Sequence, residues 1–287
     1  MLIKLFQLYR QLPKNILMLF FFEFSLSLVH VAFILILNIY LRKQDFTDPE
    51  IASFNSLRFL GALIFSLPLG IYIRGKKLKP FFILSSIMVP ITSILIIESI
   101  KYKITPLIQL GFLLWGLGMM FMRVCSLPFV IRNTTSDNSS EALSLNAATW
   151  SLATIISGII ISGLNWIYSI ELFNNHIVFD EQGILRVITL LGICSLIFAF
   201  KLTESPISID RDRPDSFSLR KSYDWGLISR AISPLVLISI GAGLTIPFIN
   251  LFFNSIFNLS SSQFSIMGSI TALFVFFSSL MVPLLSK

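Results

Sequence analysis

Apolar runs longer than the ~18 residues a helix needs to cross a bilayer recur along this chain, which rules out most folds at once. Between two of these runs the sequence reads SLPLGIYIRGKKLKP, from Ser66 to Pro80. One apolar run ends there, the basic residues Arg74, Lys76, Lys77 and Lys79 follow, and a second run starts at Phe81. A short basic loop of this kind stays in the cytoplasm, because Lys and Arg near helix ends resist translocation. It therefore sets the direction of the helices on either side.

Composition fixes the class. Of 287 residues, 55% are hydrophobic and 13% are charged, far too few charges for a soluble domain of this size. A β-barrel needs short alternating segments, and these runs are continuous. The expected fold is an all-α polytopic membrane protein, with the lipid bilayer as its first partner. The net charge of +7 invites a nucleic-acid reading. The basic residues cluster in loops between apolar runs, where orientation explains them, so no nucleic-acid partner is expected. Cys125 and Cys194 both fall inside apolar runs and do not suggest a disulfide framework. The first apolar run is long and lacks a small-residue cleavage site, so no cleavable signal peptide is expected.

Residues 1–14 carry polar groups at helical spacing and read as a short helix lying in the membrane interface, with Pro13 suited to the first turn of the next helix. Spans are expected near 15–41, 50–74, 79–99, 105–131, 142–167, 184–201, 227–257 and 262–286. With the N-terminus inside, the cytoplasmic segments carry fifteen Lys and Arg and the outer segments five. That asymmetry places the chain in the cell membrane as a multi-pass protein with a cytoplasmic N-terminus. Residues 202–226 are polar, charged and proline-containing, and read as a linker. The chain thus divides into the interfacial helix 1–14, a six-helix bundle 15–201, the linker 202–226 and two further helices in 227–287.

An internal repeat crosses that linker. Thr47-Asp-Pro-Glu50 and Ser260-Ser-Ser-Gln263 are both capping boxes opening an apolar run, 213 positions apart. Asn38 and Asn250 stand at nearly the same offset. Parallel repeats of this sort occur in transporters built from two similar halves.

Ionisable side chains inside a span cost several kcal/mol unless paired or wet, and so mark functional positions. Glu23, Ser27 and His30 share one face of the first span, Arg58 lies in the second and Arg123 in the fourth. Counted at ~1.5 Å per residue, Glu23 and Arg123 lie at similar depth, and an ion pair between them is expected. Asn38 and Asn250 complete the set of candidate pathway residues. Among these, Glu23 and His30 are the groups able to carry a proton near neutral pH, which makes protons the candidate coupling ion. No nucleotide-binding glycine loop, HExxH or paired-Cys motif occurs, so no enzyme activity, metal or cofactor is expected.

The basic loop resembles the connection between helices 2 and 3 of the major facilitator superfamily, through Gly70, Arg74, Gly75, Lys76 and Lys77. Ile73 stands where that family carries an acid. In the fifth span Thr154, Gly158, Ser162 and Gly163 read as a helix-packing face of small residues, and they are also similar to the small-residue motif of the family's helix 5, with Ile159 in place of its proline. Six spans, a cytoplasmic linker and further spans also match the family's layout. The resemblance implies a six-helix N-terminal bundle followed by the first two helices of a second bundle, cut short where a second basic loop is due. It implies secondary active transport of a small, unidentified solute by alternating access, with the pathway between helices 1 and 4. The alternative is a truncated remnant without transport, or a membrane subunit requiring a partner.

Overall fold

The computed structural model describes residues 9, 11–135, 138–169, 180–204 and 224–285. Among these residues there is no strand, and eight helices are long and apolar enough to cross a membrane. They are α1 (Lys14–Lys43), α2 (Asp48–Tyr72), α3 (Lys79–Lys101), α4 (Thr105–Asn133), α5 (Ser139–Ile167), α6 (Glu181–Lys201), α7 (Trp225–Phe257) and α8 (Ser261–Leu284). The chain is a multi-pass α-helical membrane protein by this count. Each helix lies within a few residues of its expected span. Helices are the form such runs must take, since every backbone N–H and C=O in lipid needs a partner within its own segment.

The interfacial helix expected over 1–14 falls largely outside the described residues, as does most of the linker. Of that first segment, Tyr9 donates its hydroxyl to the carbonyl of Leu280 in α8 at 3.1 Å. Pro13 is the N-cap of α1, one position ahead of the first turn, with extended backbone (ψ 143°).

α1 is the most buried helix and the hub of the fold. It packs against α4, α5 and α6 on its first-bundle side, and its second half meets α7 and α8. Both expected capping boxes form. The Thr47 N–H donates to Glu50 Oε2 at 2.8 Å, and the Ser260 N–H donates to Gln263 Oε1 at 2.9 Å.

Lipid supplies no hydrophobic drive between helices, so close backbone approach and hydrogen bonds set who packs with whom. Two glycines show this. A Cβ on Gly116 of α4 would sit 2.1 Å from the Arg58 carbonyl oxygen, so α2 and α4 cross there backbone to backbone. A Cβ on Gly158 of α5 would fall 2.6 Å from the Ser265 carbonyl oxygen of α8. Around that second crossing, Ser162 Oγ donates to the Ser262 carbonyl (3.3 Å) and Ser269 Oγ to the carbonyls of Thr154 (3.3 Å) and Ile155 (3.2 Å). Thr154, Gly158 and Ser162 therefore build the α5–α8 seam. Gly163 does not belong to it, because a Cβ there would meet nothing within 4 Å.

The basic loop is tied down from three helices. Arg132, at the end of α4, donates to the carbonyls of Lys76 (2.7 Å) and Ile73 (3.1 Å), satisfying backbone acceptors beyond α2. Lys79 Nζ reaches the Phe200 carbonyl at 2.6 Å, and Lys76 Nζ lies over the Tyr72 ring, 3.4 Å from its centroid. Gly75 supplies the positive φ (63°) that the turn requires, and Gly70 borders open space. At the opposite end of the bundle, among the described residues, four ion pairs form: Arg42–Asp48, Lys43–Glu181, Lys103–Asp45 and Arg186–Glu98.

α2 packs on α4 along one face, while Leu60, Leu63, Ile64 and Leu67 on its other side are exposed.

Candidate functional site

α1, α4 and α5 line a half-open cavity of about 180 Å³ bounded by Glu23, Ser27, Met122, Arg123, Asn146 and Trp150, among others. Two of the six candidate pathway residues, Glu23 and Arg123, open onto it directly. Glu23 lies nine residues into α1 and Arg123 ten residues from the end of α4, so each sits about 14–15 Å from the basic-loop end of the bundle.

The expected ion pair between them is not formed. Glu23 is buried, and its Oε2 accepts a hydrogen bond from Asn146 Nδ2 at 2.6 Å, while its Oε1 has no partner among the described residues. Asn146 also donates to Ser126 Oγ at 2.8 Å. The Arg123 guanidinium instead lies over the Trp150 ring, 4.8 Å from its centroid, exposed to the cavity and, among the described residues, within 4.0 Å of no carboxylate. The physical reason is angular. Equal depth places two residues at one level of the bundle, but helix rotation aims Glu23 at the polar start of α5 and Arg123 at a ring in its middle.

His30 and Arg58 join the cavity through aromatic rings. The His30 imidazole stacks on Trp115 at 5.0 Å with the planes 2° apart, and meets Trp150 edge-on at 4.8 Å. Phe33 stacks on Trp115 as well, at 5.1 Å. The buried Arg58 guanidinium lies 5.5 Å from the Trp115 ring centroid and 4.5 Å from that of Phe59. The result is a continuous ladder, Arg58–Trp115–His30–Trp150–Arg123, contributed by α2, α4, α1, α5 and α4. Trp115 is held by a hydrogen bond from its Nε1 to Ser93 Oγ (3.0 Å). Cation–π contacts of this type are worth from ~0.5 to 2 kcal/mol each, less than the cost of leaving a guanidinium without a counter-charge in lipid.

Asn38 and Asn250 form a separate polar cluster, eight residues further along α1 and so ~12 Å beyond His30. Asn38 Nδ2 donates to the Pro247 carbonyl and, at 3.4 Å, to Asn250 Oδ1. Asn250 Nδ2 donates to the carbonyls of Ile34 (3.0 Å) and Leu35 (3.1 Å). Asn55 Nδ2 from α2 completes the cluster on Asn38 Oδ1 at 3.0 Å. Both helices leave regular α geometry at this point: α1 has a π-helical turn over Phe33–Leu37, and α7 a 3₁₀ turn over Ile246–Phe248.

No family model, curated protein or solved structure matches this chain.

Sequence reasoning missed Asn146, Trp115, Trp150 and Asn55. One signal was present for the tryptophans. Tryptophan in a membrane protein favours the water interface, and both of these lie well inside their helices. Asn146 falls within the first turns of α5 and carries no charge, so nothing in its spacing marked it.

Proposed function

We propose that this chain holds the solute site of a secondary active transporter of the major facilitator type, working by alternating access. The observation that carries the reading is the cavity, which sets an ionisable Glu23 and an Arg123 with no carboxylate within 4.0 Å among the described residues about a third of the way along their helices from the basic-loop end. Charges at that depth are retained where they serve an ion or solute pathway. The internal repeat supports the two-half architecture. Asn38 and Asn250 stand 212 positions apart, as do Leu35 and Pro247, and each asparagine serves the backbone of the other's helix at the matching place. The site lies on the first-repeat side, and rocking of one repeat against the other would run along the α1–α7 contact and the α5–α8 seam. The basic-loop end of the bundle faces the cytoplasm in this reading.

The same symmetry bears on α2. α8, its repeat counterpart, buries Ser265 and Ser269 against α5, whereas the matching face of α2 is open. The transporting unit in this proposal includes a second-repeat counterpart of α5 on that face.

The test is uptake into proteoliposomes from a mixed panel of small carboxylates, amines and sugars. It compares the 287-residue chain with the same chain joined to helices equivalent to α3–α6. Gradient-driven accumulation by the joined form alone supports the proposal. Accumulation by the shorter chain removes the need for the counterpart helix. Failure of both forms to move any solute in the panel overturns the transport reading.

A further inference from the structure

We infer that the cavity selects a small organic anion, a carboxylate on a flat apolar body, with Arg123 as its anchor. This rests on the cavity being a solute site, and names what that solute is.

Three observations converge. The cavity wall carries one cation, Arg123, and one acid, Glu23, and a second cation, Arg58, is joined to Arg123 through the ladder. That acid is already engaged, accepting from Asn146. Its Oε1 has no hydrogen-bond partner among the described residues. Arg123 is also preorganised. Its guanidinium carbon lies 4.8 Å from the Trp150 ring centroid, a contact that restrains the fork of N–H donors a carboxylate matches with two parallel hydrogen bonds. The walls around that fork suit the rest of such a ligand. Trp150, Met122 and Leu127 present an aromatic face and two apolar side chains, with Ser27 and Thr149 also in the lining. The volume of about 180 Å³ is below the 300 Å³ at which drug-sized pockets start, which suits a small solute. A cation at Glu23 is the opposing assignment, and it would have to approach with Arg123 in the same cavity.

The experiment is equilibrium binding to the 287-residue chain in nanodiscs of phosphatidylcholine alone. Trp166 and Trp225 are replaced by Phe, so that the fluorescence reports Trp115 and Trp150. Benzoate is the probe, with benzamide as its neutral isostere and benzylamine as the cation. Benzoate is expected to change the signal saturably, at least tenfold more tightly than either analogue. Arg123→Gln should erase that preference, and Arg123→Lys should keep part of it. A thermal unfolding scan checks that both variants remain folded. Arg123 has no carboxylate within 4.0 Å among the described residues, so its removal should leave the unfolding temperature unchanged or raised.

Equal affinity for benzoate and benzamide, preference for benzylamine, or an Arg123→Gln chain that still prefers benzoate would each overturn the inference. So would the absence of any saturable benzoate response, or loss of that response when anionic phospholipid is added to the disc, which would make Arg123 a headgroup site. Binding is read without turnover. An anion preference in a chain that moves no solute leaves this inference standing while the transport reading fails.

Discussion

Asn38 of α1 donates to the carbonyl of Pro247 in α7, and Asn250 of α7 donates to the carbonyl of Leu35 in α1. Each amide thus serves the helix that carries the other, three residues before it, at the one place where both helices depart from α geometry. Pro247 explains half of this. A proline removes a backbone donor and disturbs the helix around it. In a regular helix the Leu251 N–H would serve the Pro247 carbonyl; here it donates to Asn250 Oδ1 at 2.8 Å, and the carbonyl takes Asn38.

The pair should therefore be energetically coupled. Asn38→Ala leaves the Pro247 carbonyl short of a donor, and Asn250→Ala does the same to Leu35. Hydrogen bonds between membrane helices are worth about 0.6 kcal/mol on average and up to about 1.7. Each single change is expected to lower unfolding stability by that order, and the double change by less than the sum. Reversible unfolding in mixed micelles measures it; strict additivity would show that the two amides act separately.

Glu23 and Arg123 should behave in the opposite way. They share a cavity without touching as ions, so Glu23→Gln and Arg123→Gln should add to within about 0.5 kcal/mol in the same unfolding assay. Glu23 and Asn146 are the coupled pair, joined at 2.6 Å. Glu23→Ala and Asn146→Ala should show an interaction of about 0.5 kcal/mol or more. Coupling of Glu23 to Arg123 instead of Asn146 would restore the ion pair expected from depth alone.

That contrast shows where sequence reading stops. The eight helices were legible because lipid leaves a ~20-residue apolar run one structure to adopt. The capping boxes were legible because their partners lie three residues apart in one chain. The offset linking Asn38 to Asn250 was legible too, though not the contact between them. Glu23–Arg123 failed because depth along a helix can be counted while rotation about its axis depends on packing. The ladder through Trp115, His30 and Trp150 needs three helices in place before its rings meet, so no spacing within one segment encodes it. Arg132, counted only as a topology charge, works as a cap on the loop after α2.

The small residues of α5 make separable claims. Gly158→Ala would bring a methyl within 1.9 Å of Ser269 Oγ and 2.6 Å of the Ser265 carbonyl oxygen. Overpacking of this kind costs about 1–3 kcal/mol and should push α8 off α5. Gly163→Ala, into open space, should be neutral. The readout is the yield of a disulfide between cysteines placed at Ser162 and Ser262, in a chain lacking Cys125 and Cys194. Ser269→Gly should rescue Gly158→Ala only in part, since the backbone contact stays. Equal disulfide yields from the two glycine variants would refute the seam.

Topology is checked with the same cysteine-free background. A cysteine at Lys77 should react with a membrane-impermeant maleimide from the cytoplasmic face, and one at Asp45 from the outer face. Labelling of both from one face would break the antiparallel order of α1 and α2. The reverse assignment would invert the orientation read from the basic loops.

The solute cavity itself is tested most directly at Ser27, about midway along α1 and lining the cavity with Glu23 and Arg123. A thiol reacts as the thiolate, which needs water. In the cysteine-free background, Ser27→Cys should therefore react with a small impermeant methanethiosulfonate reagent, and faster with an anionic one than with a cationic one of similar size. Leu60→Cys, at similar depth on the exposed face of α2, should stay unreactive. A Ser27 cysteine that is inert from both faces, in protein whose Lys77 cysteine labels normally, would mean that no hydrated pathway reaches Glu23 and Arg123.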